Sequence, residues 1–351
     1  MIGAEVNQID LSIIIINWKC VAYTRQCLAS IYANAGGLSC EVIVVDNASY
    51  DGCDAMVKSD FPQVAFLQSD RNLGFAGANN LAFAQSQGRN VLFLNPDTEV
   101  QGEALQILLS TLESLPHAGM AGARLLNSDF TLQTTCVVAL PSILNQAMSS
   151  NYLRRTFPKW RTWGMRPLFV DGNSPRPVEA ISGACMMGKR EVLEQVGAFR
   201  TDYFMYAEDM DLCAKIAEAK WKIYYVPDAR IVHHAAGSSS SRRESNFSSI
   251  MLRESLIRFM EFHRGRRYAF VYRCSTAFMA AFRLLLLLWA FPMAIHPKGY
   301  SSWSRSFSKW FDLLRWAMGA TRWVSQQHTV RSTSFRKDCP ASDTVCRPEK
   351  A

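Results

Sequence analysis

The feature that most constrains the fold is a pair of short apolar runs that each stop at an acidic turn. Val42–Val45 is followed directly by Asp46, and Val91–Leu94 is followed by Asn95-Pro96-Asp97. Runs this short and apolar are typical of strands buried on both faces of a parallel sheet. In an open parallel sheet, ligands bind at the carboxyl ends of the strands. We therefore predict an α/β fold with two carboxylates at one ligand-binding edge.

The chain up to residue 232 alternates between predicted strands and helices. Strands are predicted at Leu11–Ile16, Glu41–Val45, Val64–Gln68, Val91–Leu94, Lys222–Val226 and Ala229–Val232, and helices at Thr24–Tyr32, Phe75–Gln87, Gly102–Leu115, Arg190–Val196 and Ala207–Ala219. Regular structure of unassigned type is predicted at Val178–Met187. Strands that alternate with helices pair in parallel through right-handed crossovers. Residues 141–177 interrupt this pattern with five prolines and interleaved basic and aromatic residues, which fits either a solvated loop or a lid over the substrate.

Charge is distributed unevenly along the chain. Residues 242–351 carry 19 Lys and Arg against 7 Asp and Glu, whereas residues 1–241 carry 19 against 23. A basic segment after an acidic body indicates an anionic partner surface, and the aromatic content of 11% makes a membrane as plausible as nucleic acid.

Cysteine usage and the first residues bear on the cellular compartment. The ten cysteines form no C-x-x-C pair, which is typical of free thiols in a reducing compartment. The first ten residues contain Glu5 and Asp10 and no basic region of the kind that begins a secretory signal. We therefore expect the chain to act in the cytoplasm.

A glycine- and amide-rich segment, Asn72–Asn80, begins the helix predicted after the third strand. Exposed N–H groups at the start of a helix favour phosphate groups and ribose hydroxyls. The spacing differs from the G-x-G-x-x-G of dinucleotide-binding folds, and glycines so placed also serve helix packing. The segment is therefore a candidate nucleotide site, with helix packing as the alternative.

Asp46 and Asp97 each have a structural alternative to a role in binding. Asp46 could cap its strand through an Asx turn, and Asp97 could be a helix N-cap. Pro96 fixes the backbone beside Asp97, so this carboxylate is presented rigidly. Because Mg²⁺ and Mn²⁺ prefer carboxylate and phosphate oxygens, Asp97 is the metal candidate.

Two further polar clusters occur late in the chain. Glu208–Asp211 places three acids within four residues, where they repel one another. One of them could be a general base with a raised pKa, or all three could stabilise a helix N-terminus. His233, which is followed by His234, could be a further metal ligand or could be structural.

Taken in order, these motifs resemble those of the family 2 glycosyltransferases, which are inverting nucleotide-sugar enzymes with a GT-A fold. The similarity is greatest to the bacterial rhamnosyltransferase-like members and spans roughly two-thirds of the chain, from about Leu11 to His234. The matching segments are Asp46–Gly52, Asn72–Asn80, Leu94–Thr98, Gly183–Met186, Glu208–Asp211 and His233–His234.

The resemblance implies a role for individual residues. Asp46 would hold the nucleobase, Asp97 would bind Mg²⁺ or Mn²⁺, and Asp209 would be the general base that takes a proton from the acceptor hydroxyl. The other candidates are Asn17, Asn47, Asn72, Gly74, Asn79 and Asn95 for the nucleotide sugar, Gly183, Glu208 and Asp211 for the acceptor side or for support, and His233 as a second metal ligand.

The basic C-terminal part contains two apolar segments. Ala277–Ile295 has one charge, Arg283, and is long enough to span a bilayer, yet basic residues flank it on both sides. An aromatic and apolar face recurs at helical spacing between Trp303 and Met318, opposite basic residues, as in interfacial helices. Peripheral attachment, a true span and a soluble packing helix all remain open.

We predict three regions and one leading function. The regions are a GT-A catalytic domain at 1–241, a basic helical extension that associates with the membrane at 242–330, and a disordered tail at 331–351. The function is inverting transfer of a sugar, with rhamnose among the candidates, from a nucleoside-diphosphate sugar to a lipid-linked or polysaccharide acceptor. The expected place is the cytoplasmic face of the cell membrane, during assembly of cell-surface glycans and without a nucleic-acid partner.

Other functions would leave different marks on the sequence. A nucleotidyltransferase should have a Gly-rich segment after the first strand, and Ile16-Asn17-Trp18-Lys19 lacks those glycines. Transfer of another hexose to a soluble acceptor, or non-catalytic binding of nucleotide sugars, remain as alternatives.

Overall fold

The computed structural model describes residues 9–148, 156–157, 159–160, 166–170, 172–203, 205–234, 246–291 and 297–320. The chain divides into two units, residues 1–275 and 276–351. The predicted tail at 331–351 and much of the proline-rich segment at 141–177 lie outside the described residues.

Within the described residues, a nine-stranded sheet forms the centre of the first unit. The strands of the chain are β1 Leu11–Asn17, β2 Cys40–Asp46, β3 Ala65–Gln68, β4 Asn90–Leu94, β5 Thr98–Gln101, β6 Ala118–Leu126, β7 Val137–Val138, β8 Arg176–Val178, β9 Ala180–Ile181, β10 Cys185–Lys189 and β11 Lys222–His233. The sheet has the order β3-β2-β1-β4-β10-β6-β11-β5 with β8 beside β11, while β7 and β9 form a separate pair.

Strands β1 to β4 pair in parallel, as the alternation of strands and helices predicted. Strand β10 then runs antiparallel between β4 and β6, and β11 pairs in parallel with β6. The parallel half places the carboxyl ends of β1, β2 and β4 side by side, so the predicted ligand-binding edge is formed there.

The structure differs from the predicted strands at three places. The regular structure predicted at Val178–Met187 consists of β8, β9 and β10, with a turn at Ser182 and Gly183 between β9 and β10. The strands predicted at Lys222–Val226 and Ala229–Val232 are joined in one strand, β11, with a register shift between Val226 and Arg230. Strands β5 and β6 were not predicted, since β6 is rich in alanine and glycine, which have low strand propensity.

Helices cover both faces of the sheet. They are α1 Val21–Asn34, α2 Cys53–Asp60, α3 Gly74–Phe83, α4 Ala104–Ser114, α5 Ile143–Ala147, α6 Arg190–Val196, α7 Glu208–Glu218, α8 Asn246–Arg264, α9 Arg266–Trp289 and α10 Pro297–Ala317. Successive side chains of β1 point to opposite faces, so Ile13 and Ile15 belong to one apolar core and Ile14 and Ile16 to another. Burial of each isoleucine contributes about 1.5–3 kcal/mol to folding.

A third apolar core lies in the first unit and includes α8. It joins side chains from α8 and the start of α9 to the segment that leads into α7: Tyr203, Ala207, Ala214, Leu256, Phe259, Met260, Ala269 and Tyr272. Helix α8 follows residue 241, where the sequence analysis places the end of the catalytic domain, and it packs on that domain.

The second unit contains the end of α9 and all of α10. The indole Nε1 of Trp303 donates to the carbonyl oxygen of Leu287 at 2.7 Å, and the ring of Phe291 lies 4.9 Å from that of Trp303. The guanidinium group of Arg283 lies over the ring of Trp310 at 4.6 Å. Part of the predicted aromatic face of α10 therefore contacts α9.

Helix α9 is, among the described residues, the one helix long and apolar enough to cross a bilayer. Length and composition alone support this statement, and core helices of soluble proteins can satisfy the same criterion. The predicted apolar run Ala277–Ile295 lies in α9 as far as Trp289, and its last four residues, 292–295, lie outside the described part of the chain.

Candidate active site

The candidate site lies at the carboxyl ends of β1, β2 and β4. Asn17 at the end of β1 is in register with Asp46 at the end of β2, which is in register with Gln68 at the end of β3. Asn95 and Asp97 follow β4 directly. The sheet thus brings together residues that are up to 80 positions apart in the sequence.

Asp46 is buried and accepts hydrogen bonds on both carboxylate oxygens. Asn17 Nδ2 donates to Oδ1 and Gln68 Nε2 donates to Oδ2, each at 2.8 Å. The Ser49 hydroxyl and the backbone N–H groups of Ser49 and Tyr50 also donate to it. Burial alone would raise the pKa of Asp46, but these hydrogen bonds outweigh burial and hold the pKa below its ordinary value. Asp46 is therefore an ionised, rigidly held carboxylate at neutral pH.

Asn47 connects the turn after β2 to the start of α3. Its amide Nδ2 donates to Asn72 Oδ1 at 3.1 Å and to the Gly74 carbonyl oxygen at 3.2 Å, and its Oδ1 accepts from the Leu73 N–H at 2.7 Å. Asn72 Oδ1 in turn accepts from the Gly74 N–H. The side chain of Asn79 is buried in α3, where its Nδ2 donates to the carbonyl oxygen of Phe75 at 2.9 Å.

Left-handed backbone conformations cluster at this edge of the sheet. Lys19, Ala48 and Tyr50 have φ angles of 56°, 59° and 49°. Such a conformation costs about 1–2 kcal/mol for a residue with a Cβ atom. Strain of this kind is concentrated at functional sites, where the surrounding structure holds it.

Asp97 and His233 form the second polar group of the site. Asp97 Oδ1 lies 3.4 Å from His233 Nε2, and Asn95 Nδ2 lies 3.5 Å from the same nitrogen. His233 Nδ1 lies 2.7 Å from Gln133 Oε1. Because an amide oxygen accepts hydrogen bonds, the neutral imidazole has its proton on Nδ1 and its lone pair on Nε2, directed towards Asp97.

These residues fit a divalent cation bound together with a diphosphate. No cluster of three or more His, Cys, Asp or Glu side chains suited to a metal occurs in the part of the chain that the structure describes. One carboxylate and one oriented imidazole suffice when phosphate oxygens and waters complete the coordination of Mg²⁺ or Mn²⁺. A ligating histidine whose other nitrogen donates to a fixed acceptor, here Gln133, has its ring orientation set in advance.

Asp209 lies close to this group, through the turn before β10. The Gly183 N–H donates to Asp209 Oδ2 at 3.0 Å, and the Asn95 N–H donates to the Ala184 carbonyl oxygen at 3.0 Å. A Cβ atom placed on Gly183 would lie 3.3 Å from Asp209 Cβ, so only glycine permits this close approach without displacement. The loop that carries Asp97 and the carboxylate of Asp209 are therefore both bonded to the turn at Gly183 and Ala184.

Burial raises the pKa of the Asp209 carboxyl group. Burial, together with the negative charge of Asp209, also raises the pKa of Glu208, to about 8. Glu208 Oε2 is buried and has no hydrogen-bond partner among the described residues. Near neutral pH, Glu208 is therefore largely protonated beside Asp209.

Asp211, the third acid of the cluster, faces α8. It is completely buried, and its Oδ1 accepts from the Tyr203 hydroxyl at 3.0 Å and lies 2.9 Å from His263 Nε2. The guanidinium group of Arg200 lies 3.5 Å away. Burial alone would raise the pKa of Asp211, but these hydrogen bonds and charges hold it below its ordinary value. This carboxylate connects two helices.

The sequence analysis missed several residues that support the site. Gln68 donates to Asp46, Gln133 orients His233, and Asp51 accepts from Asn17 Nδ2 at 3.0 Å. The position of Gln68 at the end of a strand, like that of Asp46, was a signal that could have identified it. No local pattern in the sequence identifies Gln133. It lies near His233 because the chain turns after β6 and pairs back with the end of that strand.

Comparisons with known proteins identify the same class of enzyme that the sequence motifs resemble, the glycosyltransferases. The model of the family described as glycosyl transferase family 2 matches residues 12–197, and that of glycosyl transferase family group 2 matches residues 132–326. An N-acetylglucosaminyl-diphospho-decaprenol L-rhamnosyltransferase of Mycobacterium tuberculosis is 30% identical over 221 residues, which cover 59% of this chain and 71% of the relative.

Two solved structures resemble the fold. A mannosyltransferase from Pyrobaculum calidifontis, in complex with GDP-Man and Mn²⁺, has a TM-score of 0.51 at 18% identity, over 86% of this chain and 85% of that chain. GalNAc-T7 with UDP, GalNAc and Mn²⁺ has a TM-score of 0.53 at 14% identity, over 73% of this chain and about half, 48%, of that chain. At these identities the likeness concerns the fold, and it confirms the predicted GT-A architecture. With one family model matching more than half of its length, the chain belongs to glycosyl transferase family 2 and is a glycosyltransferase.

Proposed function

We propose that this glycosyltransferase is an inverting, metal-dependent hexosyltransferase of cell-surface glycan synthesis. It takes a nucleoside-diphosphate sugar, with a rhamnose donor as the first candidate, and transfers the sugar to a hydroxyl group of a lipid-linked acceptor. The name of the Mycobacterium tuberculosis relative, which contains both rhamnosyl transfer and a diphospho-decaprenol, supports this choice of donor and acceptor.

One observation supports the proposal most strongly: the loop that carries Asp97 and the carboxylate of Asp209 are both hydrogen-bonded to the turn at Gly183 and Ala184. Asp97 follows β4 and lies 3.4 Å from His233. Asp209 lies in the first turn of α7, accepts from the Gly183 N–H, and has its pKa raised by burial. Inverting displacement needs one group on the leaving diphosphate and another on the opposite face of the sugar, where the acceptor attacks. Inverting glycosidases divide two carboxylates between such roles.

The donor half of the site is assigned to the ends of β1 and β2. The fixed carboxylate of Asp46 would contact the nucleobase, with Asn17, Asn47, Asn72 and Gly74 around the nucleoside. The N-terminus of α3 would add backbone N–H groups. When bound, a Mg²⁺ or Mn²⁺ ion neutralises negative charge on the leaving diphosphate. Asp97 and His233 would hold that ion, with Asn95 beside them.

The acceptor half is assigned to the start of α7. Asp209 accepts the proton of the acceptor hydroxyl as that oxygen bonds to the anomeric carbon, while the bond from this carbon to the diphosphate oxygen breaks. The raised pKa of Asp209 makes it a stronger base than an exposed aspartate. Gly183 fixes the carboxylate through its N–H, and protonated Glu208 avoids a second negative charge beside it.

The second unit is proposed as the membrane contact. Apolar side chains of α9 that are at least 48% exposed recur at helical spacing: Phe278, Phe282, Leu285 and Trp289. Basic side chains lie on the same helical pair, among them Arg283, Arg305 and Lys309. An exposed apolar stripe beside basic residues is typical of helices that bind an anionic lipid surface. The cytoplasmic face of the membrane would bring the site to a lipid-linked acceptor.

The test is a screen of nucleoside-diphosphate sugars with a lipid-diphosphate acceptor in detergent, with and without chelator. The proposal expects release of nucleoside diphosphate that depends on both acceptor and metal, and NMR of the product should show an inverted anomeric centre. A retained anomeric configuration would contradict the single displacement, and full activity in EDTA would contradict the metal role. Binding of sugar nucleotides without any turnover would favour a non-catalytic binding protein.

A further inference from the structure

Three side chains of α8 contact residues on both sides of Asp209 in the sequence. The Ser255 hydroxyl donates to the carbonyl oxygen of Met205 at 2.8 Å, and the Arg258 guanidinium group donates to the carbonyl oxygen of Asp202. One turn later, His263 Nε2 lies 2.9 Å from Asp211 Oδ1. All three contacts bind residues 202–211, which contain the candidate base.

Apolar packing reinforces these hydrogen bonds. Ala207, immediately before Glu208, is 1% exposed and belongs to the same apolar core as Leu256, Phe259 and Met260 of α8. The guanidinium group of Arg200 lies over the ring of Phe262 at 4.1 Å. The segment before α7 is thus covered by one face of α8.

The backbone of this segment needs such support. Tyr206 and Ala207 both have a φ of 69°, so two consecutive residues with Cβ atoms adopt the left-handed conformation just before the helix of the candidate base. Residues with a Cβ atom rarely adopt this conformation, and it persists where the surrounding structure over-determines it. Here the surrounding structure is α8.

We propose that α8 is part of the catalytic machinery, in which Ser255 and His263 are positioning residues that hold the Tyr206–Ala207 turn and the first turn of α7, and so set the position of Asp209. The inference rests on the proposed role of Asp209 as base. It means that the enzyme needs residues beyond 241 for catalysis as well as for attachment, because truncation before α8 would release the strained turn.

A positioning role predicts a change in kcat, whereas general stabilisation predicts a change in the stability of the fold. The donor candidates Asn17, Asp46 and Asn47 lie at the ends of β1 and β2, and among the described residues their hydrogen bonds involve no side chain of α8. Loss of an α8 contact should therefore lower kcat and leave donor affinity unchanged. A misplacement of about 1 Å in a reacting group can reduce the rate by about 10²-fold.

The test compares full-length Ser255→Ala with Ser12→Ala. Both serines are buried, at 5% and 0% exposure, and each hydroxyl connects two segments; Ser12 connects Glu41 and Gly88 at the opposite end of β1. We expect kcat of Ser255→Ala to fall about 10-fold or more with an unchanged donor dissociation constant, whereas Ser12→Ala should lower the thermal midpoint and keep wild-type kcat.

His263 provides the second comparison. Removal of the ring in His263→Ala should lower kcat about 10-fold, and His263→Gln, which can still donate to Asp211, should recover part of this loss. Amide hydrogen exchange at residues 202–211 should rise in Ser255→Ala, and this readout needs no sugar. Wild-type kcat and unchanged exchange in both alanine variants would overturn the inference, as would an equal loss of kcat in Ser12→Ala. If amide exchange at residues 202–211 rises in Ser255→Ala but the wild-type protein transfers no sugar, the proposed function is refuted and the structural role of α8 is retained.

Discussion

At the scale of single residues, the site consists of side chains fixed before any ligand binds. Both oxygens of Asp46 accept hydrogen bonds, from donors at two strand ends and one turn, and the His233 ring is oriented by Gln133. Asp209 is held by the N–H of Gly183. Catalysis benefits from such fixed groups because they do not have to reorganise during the reaction.

The first prediction concerns Gly183, where alanine would add a single Cβ atom beside Asp209. In Gly183→Ala the new Cβ would lie 3.3 Å from Asp209 Cβ and 3.5 Å from Asp209 Oδ2, closer than most Cβ contacts. We expect kcat to fall about 10-fold or more, because Asp209 must shift by a few tenths of an ångström or more. Steady-state kinetics with a fixed donor and varied acceptor measure this. Unchanged kcat in a folded variant would show that Asp209 tolerates displacement.

A second prediction concerns the cation at Asp97. Asp97→Ala removes the proposed carboxylate ligand, so donor binding measured by calorimetry should lose its dependence on Mn²⁺, and turnover should be abolished. Gln133→Leu leaves both proposed ligands in place but frees the His233 ring, and a loss of about 10-fold in metal affinity is expected. Identical Mn²⁺ affinity in the wild type and Asp97→Ala would exclude this residue as a ligand.

Site residues could be predicted from the sequence where a local pattern marks them, and not where their partners are distant in the sequence. Asp46 and Asp97 were found because each directly follows an apolar strand, and their positions at one edge of the sheet are confirmed. Gln133 and His263 were missed because their partners, His233 and Asp211, are 100 and 52 positions away, and no local pattern records a contact of that range. The roles assigned to Asp46, Asp97 and Asp209 remain predictions.

At the scale of elements, α7 and α8 act as one pair. Ionisable side chains meet at the centre of their contact, where the His263 ring lies 2.9 Å from Asp211 and 2.6 Å from Glu218. Arg200 Nε lies 3.5 Å from Asp211 Oδ1, and Lys215 Nζ lies 4.0 Å from Asp211 Oδ2. Burial lowers the pKa of His263, but these two carboxylates outweigh burial and raise the pKa above 6.5. Folding therefore favours the protonated form of this imidazole in the contact between the two helices.

This contact predicts how stability depends on pH. A group whose pKa is raised by folding contributes its full stability below its unfolded pKa and loses it as the pH rises through the folded value. The free energy of unfolding of the wild type should therefore fall more than that of His263→Gln as the pH rises from below 6.5 through the raised pKa of the folded state. Denaturant melts of both proteins across this range give the comparison. Parallel curves would mean that folding does not raise the pKa of His263.

At the scale of the whole molecule, an active site and an apolar helical surface occur in one chain. The first unit has the sheet and all proposed site residues, and the second has the exposed stripe of Phe278, Phe282, Leu285 and Trp289. The apolar run at 277–295 was recognised from the sequence, and the aromatic face of α10 was interpreted as that of an interfacial helix, with packing inside the protein as an alternative. In the structure Trp303 contacts Leu287 and Phe291, so the stripe on α9 is the surface proposed for membrane contact.

Attachment to membranes is predicted to depend on this stripe. In a flotation assay with vesicles that contain anionic lipid, the double variant Phe278→Glu with Leu285→Glu should no longer float with the vesicles, because charge in the interface opposes insertion. Phe130→Glu, at an exposed apolar residue of the first unit, is the matched control and should float like the wild type. Flotation of the double variant would assign membrane binding to another surface, and wild-type protein that never floats would contradict membrane attachment.

The most direct test of the central claim is the kinetics of Asp209→Asn. Asparagine keeps the shape of the side chain and can still accept from the Gly183 N–H, but it cannot take a proton from the acceptor. The account predicts that donor dissociation constants stay at the wild-type value while the transfer rate falls by about 10²-fold or more. Transfer at the wild-type rate by Asp209→Asn would contradict the assignment of the base and, with it, the proposed mechanism.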